Sequence, residues 1–557
     1  MLYDGKILIG KSGDEEVYIF PKMANRHGMI AGATGTGKTV SLKVMAEAFS
    51  DAGVPVFMAD VKGDLSGIAT YGEMNENIQK RIEKLGLNKY GYKMDKYPVT
   101  IWDIYGERGI PLRTTISEMG PLLLGRILGL TEVQADILTC IFKIADDEGL
   151  LLLDTKDLRE MIAYVSENAQ QYSMRYGNMT KQSLASIVRA VIALESEGGE
   201  QFFGEPAVEI GRDWFDREDG KGCIQILDCV KLINNPTMYS SFLLWMLSEI
   251  YETLPEVGDL DKPKMVFFFD EAHLLFNNAT SDLLQKVEQI VKLIRSKGVG
   301  VYFITQSPKD IPDGVLAQLG TKIQHALRAY TPAEQKGLKV AADSFRANPD
   351  FDTLTVLQEL GTGEALISVL DEKGIPTVVK NCTVLPPQSK IAPVDESARN
   401  SLIKGNRLYT KYSEYFDRES AYEILTKRIE EAAAEAERKA QELAEAKQRE
   451  AEEKAAQKQA EKEAAAAQRA AEREALAAQR AEEKAILAQQ KAAEKQALAK
   501  QNATKKAVKS VGSSVAGTVG REIGNTIGKS VGGSFGKKLG GNVGASIGRG
   551  LLSTMFK

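Results

Sequence analysis

A long stretch of this sequence contains no aromatic residue: there is no Phe, Tyr or Trp between Ile429 and Phe535. Aromatic side chains supply much of the area that a globular core buries, so a stretch without them is not expected to form such a core. We therefore predict that the core is built from about the first 428 of the 557 residues. That length is enough for one large domain with an insert.

Cysteines are few, and long apolar runs are missing. The four cysteines form no CxxC pair and are predicted to be reduced thiols, not a disulfide framework; they are Cys140, Cys223, Cys229 and Cys382. No apolar run approaches the roughly 18 residues of a membrane-spanning helix, and the early acid Asp4 argues against a signal peptide. These absences predict a cytoplasmic protein. The formal net charge of -5 argues against indiscriminate coating of nucleic acid, but it allows a local basic channel.

Short apolar segments alternate with helical patterns through the first 428 residues. This alternation predicts a mainly parallel, three-layer α/β sheet. The predicted strands are a hairpin within 5–20, the run 27–31, Val54–Ala59, Cys223–Leu227, Met265–Phe269, Gly300–Thr305, Lys322–Leu327 and two edge candidates, Leu366–Val369 and Thr377–Val379. The predicted divisions are a hairpin at 1–24, a main domain at 25–395 with a helical insert at about 106–215, a connecting segment at 396–428, a long charged helix at 429–505 and a glycine-repeat tail at 506–557.

The last 129 residues have two compositions. The first part is rich in Ala, Glu, Lys, Arg and Gln, which are strong helix formers, and it has too few large apolar residues for a heptad seam. It predicts a long solvated helix with little coiled-coil character. In the tail, Gly recurs every four residues from Gly520 to Gly548, each time after an apolar residue. This repeat predicts an element that packs closely through Gly, against another copy of the tail, against another segment of the same tail or at a membrane surface. The alternative is a disordered tail.

The most specific chemical signal is the motif GxxxxGKT, which lies between an apolar strand and a helical pattern. Its glycines let successive backbone N–H groups turn toward phosphate, and the following helix N-terminus adds partial positive charge. We expect Lys38 to reach the β- and γ-phosphates of ATP and the Thr39 hydroxyl to bind Mg²⁺. The motif predicts a P-loop NTPase, with nucleotide bound by Gly32, Ala33, Thr34, Gly35, Thr36, Gly37, Lys38 and Thr39.

Two later strands end in polar residues suited to hydrolysis. Asp270 and Glu271 follow the apolar run MVFFF; we predict that Asp270 lies on the metal side and that Glu271 is the general base. Gln306 follows the strand GVYFIT and is predicted to orient the attacking water or to sense the γ-phosphate. His273 is expected to be structural.

Arginines and further acids lie around these motifs. Arg295 precedes the strand that leads to Gln306, and Arg328 follows the strand KIQHAL. Either is a candidate to act on the γ-phosphate of a neighbouring subunit, and the alternative for each is a surface ion pair. Asp60 and Asp64 follow the strand VPVFMA, where a simple turn is favoured over a role in the site.

Taken together, these motifs resemble the HerA/FtsK superfamily of ring-forming motor ATPases, and particularly HerA-like bacterial proteins of the YjgR type. The resemblance covers most of residues 1–385 and rests on stretches such as HGMIAGATGTGKTVSLKVMAE, FMADVKGDLSG, MVFFFDEAHLLF and RSKGVGVYFITQSPKDIPDGVLAQLGTKIQHALRAYT. It implies a RecA-like sheet of the ASCE class, Glu271 as the additional catalytic glutamate and a hexameric ring with nucleotide between subunits. It also implies DNA as the track, with a nuclease or another protein as a partner. One departure is that only 31 residues precede Gly32, too few for the β-barrel domain of archaeal HerA-type proteins.

Three functions remain open on the sequence alone. The first is an ATP-driven motor acting on DNA, as translocase or helicase. The second is a motor acting on a protein substrate. The third is a nucleotide-switched scaffold that assembles through its long helix and glycine tail. DNA-stimulated ATPase activity favours the first, and slow, unstimulated turnover with nucleotide-dependent partner binding favours the third.

Overall fold

A computed structural model describes residues 1–276, 281–329 and 331–497. The predicted glycine-repeat tail therefore lies outside the described residues. The chain divides into two compact units, Met1–Ala440 and a second one from Gln441 onward. The first unit contains all of the strands described below.

Most of the strands form one mixed sheet, and β8 and β9 pair separately as a small antiparallel hairpin. The strands are β1 (Leu2–Tyr3), β2 (Lys6–Ser12), β3 (Glu15–Ile19), β4 (Gly28–Ala31), β5 (Val56–Asp60), β6 (Val99–Asp103), β7 (Ile110–Pro111), β8 (Arg217–Glu218), β9 (Lys221–Gly222), β10 (Ile224–Asp228), β11 (Met265–Phe269), β12 (Val299–Thr305), β13 (Thr321–His325), β14 (Glu364–Ser368) and β15 (Lys380–Val384).

The centre of the large sheet is parallel. Its order is β1-β2-β15-β14-β13-β4-β12-β11-β5-β10-β6-β7, with β3 paired to β2. All pairs from β13 to β7 are parallel, whereas β14, β15 and the first three strands extend the sheet antiparallel. The strand β12 lies between β4 and β11, so the sheet has the order expected for an ASCE-type P-loop NTPase. The predicted fold class is confirmed.

Helices cover both faces of the sheet. They are α1 (Lys38–Asp51), α2 (Glu76–Leu85), α3 (Ile116–Ile127), α4 (Glu132–Glu148), α5 (Thr155–Glu167), α6 (Ala169–Tyr176), α7 (Lys181–Leu194), α8 (Glu200–Phe202), α9 (Ile210–Asp213), α10 (Pro236–Thr253), α11 (His273–Phe276), α12 (Ser281–Leu293), α13 (Asp313–Leu316), α14 (Pro332–Asp343), α15 (Thr353–Glu359), α16 (Glu396–Gly405), α17 (Tyr409–Tyr412) and α18 (Ala421–Ala497). The helices α3 to α9 form the insert between β7 and β8.

The two sheet faces bury different halves of each strand because strand side chains alternate. In β11, Val266 and Phe268 share a cluster with Phe49 of α1. Phe267 and Phe269 share the other cluster with Phe242 of α10 and the helices of the insert. The result is a three-layer α/β unit whose central strands are fully buried, which explains why they are continuous apolar runs.

Several predicted elements differ from the observed ones. The hairpin is present as β2 and β3, which turn through Ser12–Glu15. The strand β6 was not predicted, because its sequence VTIWD mixes Thr and Trp into a short run that starts beside Pro98. The edge strand expected at Thr377–Val379 lies at Lys380–Val384 instead. The long helix begins at Ala421 rather than at 429.

Candidate nucleotide site

The carboxyl ends of four neighbouring parallel strands meet at one edge of the sheet. The P-loop follows β4, Gln306 follows β12, Asp270 follows β11 and Asp60 ends β5. Thr305 pairs with Ala31, and Phe268 with Met58, so these strand ends lie at similar levels. The structure thus brings the P-loop, the two acids and the glutamine together, as expected for ligand sites in open α/β sheets.

The P-loop turns through glycines in the left-handed region. Gly37 has a φ of 117° and precedes the first residue of α1. A Cβ at Gly37 would lie 3.2 Å from the backbone of Gly363, so the close approach of that loop also favours Gly. Turns of this kind at the start of a helix allow backbone N–H groups to face one concavity, the arrangement that binds phosphate.

Lys38 reaches back across the P-loop. Its Nζ donates hydrogen bonds to the carbonyl oxygens of Gly32 at 2.5 Å and Ala33 at 3.1 Å. Burial lowers the pKa of Lys38, and the nearby charge of Lys62 lowers it further, against the opposing effect of Asp270 and Glu271. The ammonium group is therefore held against the P-loop by two carbonyls, within electrostatic reach of the two acids.

Asp270 and Glu271 form an acidic pair at the end of β11. Burial raises the pKa of Asp270 to about 6, and the charge of Glu271 contributes in the same direction. The backbone N–H of Glu271 donates to Asp270 Oδ1 at 2.9 Å, and Tyr239 Oη donates to the Asp270 carbonyl at 2.5 Å. These bonds fix the strand end, so the Asp270 carboxylate is oriented by backbone and not by a flexible loop.

Glu271 has a left-handed backbone, with a φ of 46°. This conformation is uncommon for a residue with a side chain and occurs often at functional sites. Its Oε2 is buried and accepts no hydrogen bond from a described residue; His273 Nδ1 lies 3.4 Å away. A buried carboxylate oxygen without a donor is costly, and it is the group that a general base presents to water.

Lys62 is a residue of the site that the sequence did not single out. Its charge acts on both Lys38 and Asp270. It lies in the loop after β5, two residues beyond Asp60. The segment MADVKGDLSG contains this lysine between two acids, but a lysine in a turn carries no motif that distinguishes it from a surface residue. A second ammonium group beside the P-loop adds positive potential for phosphate.

Asp60 supports the loop that carries Lys62. Its carboxylate accepts hydrogen bonds from the backbone N–H groups of Gly63, Asp64 and Leu65. Burial raises the pKa of Asp60 to about 7. This is the turn that the sequence favoured for Asp60, and the side chain is directed to its own loop.

His325 packs against the P-loop and is held there by two hydrogen bonds. Its Nδ1 donates to the Glu364 carbonyl at 2.9 Å, so its Nε2 accepts from Ser41 Oγ of α1 at 2.8 Å. A Cβ at Gly32 would lie 2.6 Å from the His325 Cβ, and a Cβ at Gly37 would lie 3.4 Å from the His325 ring, so His325 packs tightly against the loop. Burial lowers the pKa of His325 to about 4. This role was not predictable from the sequence, because the contact joins residues 284 apart.

Gln306 is exposed at the end of β12. It lines a cavity of about 520 Å³ with His273 and Asp310. Asp310 accepts from Thr305 Oγ1 at 3.0 Å and from the backbone N–H of Ser307. The strand end is thereby fixed, and the Gln306 amide remains available to a ligand at the same edge as the P-loop.

The two arginine candidates lie at opposite ends of the parallel strands. Arg295 precedes β12, at the amino ends of the parallel strands. Its carbonyl accepts a hydrogen bond from the Gly298 N–H at 2.9 Å, and Arg295 lines the same cavity as Arg26 and Lys292. Arg328 follows β13, at the P-loop edge, and donates to the carbonyls of Gln358 and Leu360. Arg295 is therefore remote from the P-loop of its own chain, and Arg328 is engaged in holding its own backbone.

The residues of the site fit a nucleoside triphosphate with Mg²⁺. The P-loop supplies N–H donors and Lys38 supplies positive charge, as the phosphates require. The Thr39 hydroxyl and the Asp270 carboxylate are hard oxygen ligands, which would hold Mg²⁺ together with phosphate oxygens. The Oε2 of Glu271, which accepts no hydrogen bond from a described residue, is an oxygen that could accept a proton from water. The fold and the site together define a P-loop ATPase.

Comparison with known sequences gives the family. The model of the family described as Helicase HerA-like C-terminal matches residues 6–539. The chain therefore belongs to this HerA-like family, and the resemblance predicted from its motifs is confirmed at family level. Assignment to the YjgR type remains a prediction.

Three curated relatives are similar to the chain. The probable helicase MJECL08 of Methanocaldococcus jannaschii is 32% identical over 152 residues, which is 26% of this chain and 27% of the relative. The DNA double-strand break repair helicase HerA of Sulfolobus acidocaldarius is 31% identical over 112 residues, 20% of this chain and 21% of the relative. HerA of Sulfurisphaera tokodaii is 23% identical over 391 residues, 68% and 69% of the two chains. The matches to the first two thus span only about a quarter of those relatives.

Solved structures show more distant similarity. VirB4 of Thermoanaerobacter pseudethanolicus has a TM-score of 0.46 at 14% identity, over 68% of this chain and 96% of that one. The bacterial conjugative coupling protein TrwB has a TM-score of 0.44 at 13% identity, over 68% and 90% of the two chains. In the described part of the chain, no helix is both long and apolar enough to cross a membrane.

Proposed function

We propose that this ATPase is a ring-forming motor that uses ATP hydrolysis to move along DNA, as translocase or helicase. The observation that carries the proposal is the arrangement of Lys38, the acidic pair and Gln306 at the ends of adjacent strands. DNA is the proposed track because relatives in the family are described as DNA double-strand break repair helicases. The motor itself is proposed from this chain's own residues.

The proposed chemistry follows from the positions of these residues. Lys38 exchanges its hydrogen bonds to two P-loop carbonyls for bonds to the β- and γ-phosphates of ATP. Thr39 and Asp270 would hold Mg²⁺, which when bound would neutralise developing charge on the phosphates. Glu271 removes a proton from the attacking water through Oε2, which accepts no hydrogen bond from a described residue. Gln306 orients that water or contacts the γ-phosphate.

A basic groove supports assembly into a ring. We use this name for a cavity of about 790 Å³ at the amino ends of β4 and β12, with no carboxylate among its lining residues. Its cations are Arg26, Lys292, Arg295, Lys322 and Arg346. Lys322 and Arg346 donate to backbone carbonyls, which leaves their charge uncompensated. A head-to-tail ring joins two different faces of neighbouring subunits, and such a contact would bring this positive groove to the phosphate-binding edge of the next subunit.

The proposed track is tested by measuring ATP turnover with and without double-stranded DNA. We expect double-stranded DNA to stimulate turnover by the parent chain and to have no effect on Lys38→Ala, which lacks the phosphate-binding ammonium group. The stimulation should weaken as salt rises, because contacts with DNA phosphates release counterions. Parent turnover that is the same with double-stranded DNA, single-stranded DNA and no DNA would contradict the proposed track.

A nucleotide-switched scaffold is the second candidate, because of the helix α18. This helix has 77 residues, and every described side chain from residue 429 onward is exposed. Such a surface is available along its whole length for another protein. Slow turnover that DNA does not change, combined with binding of a protein partner only in the presence of ATP, would favour this function over the motor.

A further inference from the structure

The helix α3 is kinked soon after it begins. Its first turn is closed by a capping box between Thr115 and Glu118, and Gly120 then takes a non-helical backbone with a φ of 72° and a ψ of 163°. A Cβ at Gly120 would meet no atom within 4 Å, so the backbone angles alone favour Gly there. Pro121 follows and lacks the N–H that would continue the helical hydrogen bonds. A groove lies at this kink, between α3 and the helices α10 and α12; we call it the kink groove.

The kink groove has an apolar surface that reaches solvent. Its volume is about 260 Å³, below the range of about 300–1,000 Å³ that is common for small-molecule sites, so it suits a side chain better than a whole cofactor. Trp245 in the wall is almost fully buried, whereas Leu122 is 51% exposed. The apolar lining comes from all three helices and includes Met119, Leu122, Trp245, Leu283, Val287 and Ile290.

Acidic residues accompany this apolar surface. Glu118, Glu249 and Glu252 line the kink groove, and Lys286 is the one cation among the described residues that line it. Burial raises the pKa of Glu249, and the charges of Glu118 and Glu252 raise it further. The three carboxylates are therefore close enough to repel one another, and a bound cation would relieve that repulsion.

The two kinds of surface together indicate what the kink groove binds. A large apolar side chain inserted between the helices would cover Leu122, as anchor residues do at protein interfaces. A Lys or Arg beside that anchor would carry a charge complementary to the three glutamates. A protein segment provides both features at once, whereas a metal ion has no apolar part and an apolar small molecule has no cation.

We propose that the kink groove is a docking site for a basic segment of a partner protein, which inserts one large apolar side chain between α3, α10 and α12 and places Lys or Arg beside Glu118, Glu249 and Glu252. None of the described residues that line the groove belongs to the nucleotide site. The partner therefore binds without displacing ATP, and the proposal does not depend on the identity of the track.

The test applies a display library of random short peptides to the full chain. The peptides that the parent chain selects should carry a large apolar residue close to Lys or Arg. A selected peptide is then labelled, and its Kd is measured by fluorescence anisotropy. Leu122→Gln should raise this Kd at least roughly tenfold, because it removes the exposed apolar surface without changing the charge. Val133→Gln in α4 is the matched control, since Val133 is 64% exposed and lies outside the groove, and it should leave the Kd unchanged.

A second pair of variants tests the charge. Glu252→Lys should raise the Kd roughly tenfold and reduce its dependence on salt, because one of the attractive charges is reversed. Glu167→Lys in α5 is the matched control, since both glutamates are exposed and lie in the last turn of their helices. It should change neither quantity. All four variants should keep the ATP turnover of the parent chain, which shows that they are folded.

Three results would overturn the proposal. The first is a library that yields no binding peptide, or only peptides without a basic residue. The second is a Kd that Leu122→Gln or Glu252→Lys leaves unchanged. The third is altered sedimentation of the peptide-free chain in Leu122→Gln, which would assign the kink groove to a contact between copies of this chain instead of to a partner.

Discussion

Glu271 combines a left-handed backbone with a buried carboxylate oxygen that no described residue hydrogen-bonds. We expect Glu271→Gln to keep ATP binding and to lower turnover by about 10²–10⁴-fold, because the shape and the Mg²⁺ ligands survive while the base is lost. ATP binding and steady-state hydrolysis should be measured on the same preparation. Glu132→Gln, an exposed change in the first turn of α4, is the control and should match the parent. Hydrolysis at the parent rate in Glu271→Gln would show that another group acts as the base.

The buried side chain of His325 should make the free energy of unfolding depend on pH. Burial lowers its pKa to about 4 in the folded chain, whereas an unfolded histidine has a pKa of about 6.5. Between these values the unfolded chain takes up a proton that the native chain does not, so the free energy of unfolding falls as pH drops from about 6.5 to about 4. His27 acts in the same direction, because burial lowers its pKa to about 4 as well.

The His325 contribution is measured against His325→Gln. Each histidine accounts for at most about 1.4 kcal/mol per pH unit. Chemical unfolding at pH 5 and at pH 7 should therefore show a smaller difference between the two pH values in His325→Gln than in the parent chain. Equal differences would mean that the ring is protonated in the folded state or is not buried in solution.

At the level of elements, two buried charged side chains on one face of α1 hold this helix in place through hydrogen bonds. Lys43 Nζ donates to the carbonyls of Asp64, Lys390 and Ile391, and Glu47 accepts from Gln388 and Ser389. Both side chains are almost fully buried. The helix that carries the P-loop is thereby fixed to residues 388–391, the segment that leads on to α16.

We expect Lys43→Met to lower the free energy of unfolding by about 3–5 kcal/mol, because three buried carbonyls lose a charged donor and Glu47 loses a nearby cation. Urea unfolding of the chain without nucleotide measures this change. Lys80→Met in α2 is the control, since Lys80 is 75% exposed and its ion pair with Glu76 spans 3.9 Å. An exposed pair contributes about 0–1 kcal/mol. Similar small effects of both changes would contradict the structural role of Lys43.

The strands that carry the site motifs were predictable from the sequence. The long-range contacts that hold these strands and the P-loop in place were not. The strands β4, β11 and β12 are apolar runs that end in Gly, acidic or amide residues, and this pattern is visible in the sequence alone. His325 acts through a contact with a residue 284 positions away, and such contacts depend on the folded sheet. The buried charges of α1 follow the same rule, because a lysine and a glutamate four residues apart usually indicate an exposed face.

At the scale of the whole molecule, the proposed ring implies different roles for the two arginine candidates. Arg295 lies in the basic groove at the edge opposite the P-loop, so any contact with ATP must come from a neighbouring subunit. Arg328 holds carbonyls of its own chain at the P-loop edge. Loss of Arg328 should therefore destabilise the loop after α15, whereas loss of Arg295 should remove activity only through the subunit contact.

Mixing two inactive variants tests this directly. Arg295→Ala subunits keep Glu271, and Glu271→Gln subunits keep Arg295. An interface is therefore complete when an Arg295→Ala subunit holds the ATP and a Glu271→Gln subunit donates the arginine. In a randomly mixed head-to-tail ring, about a quarter of the interfaces have this pairing. We therefore expect the mixture to regain up to about a quarter of parent turnover, whereas each variant alone stays low. The mixture of Arg328→Ala with Glu271→Gln serves as the control and should show no such gain beyond the activity of its components. Sedimentation that shows a fully active monomer, or no regained turnover in the Arg295→Ala mixture, would contradict a trans role for Arg295.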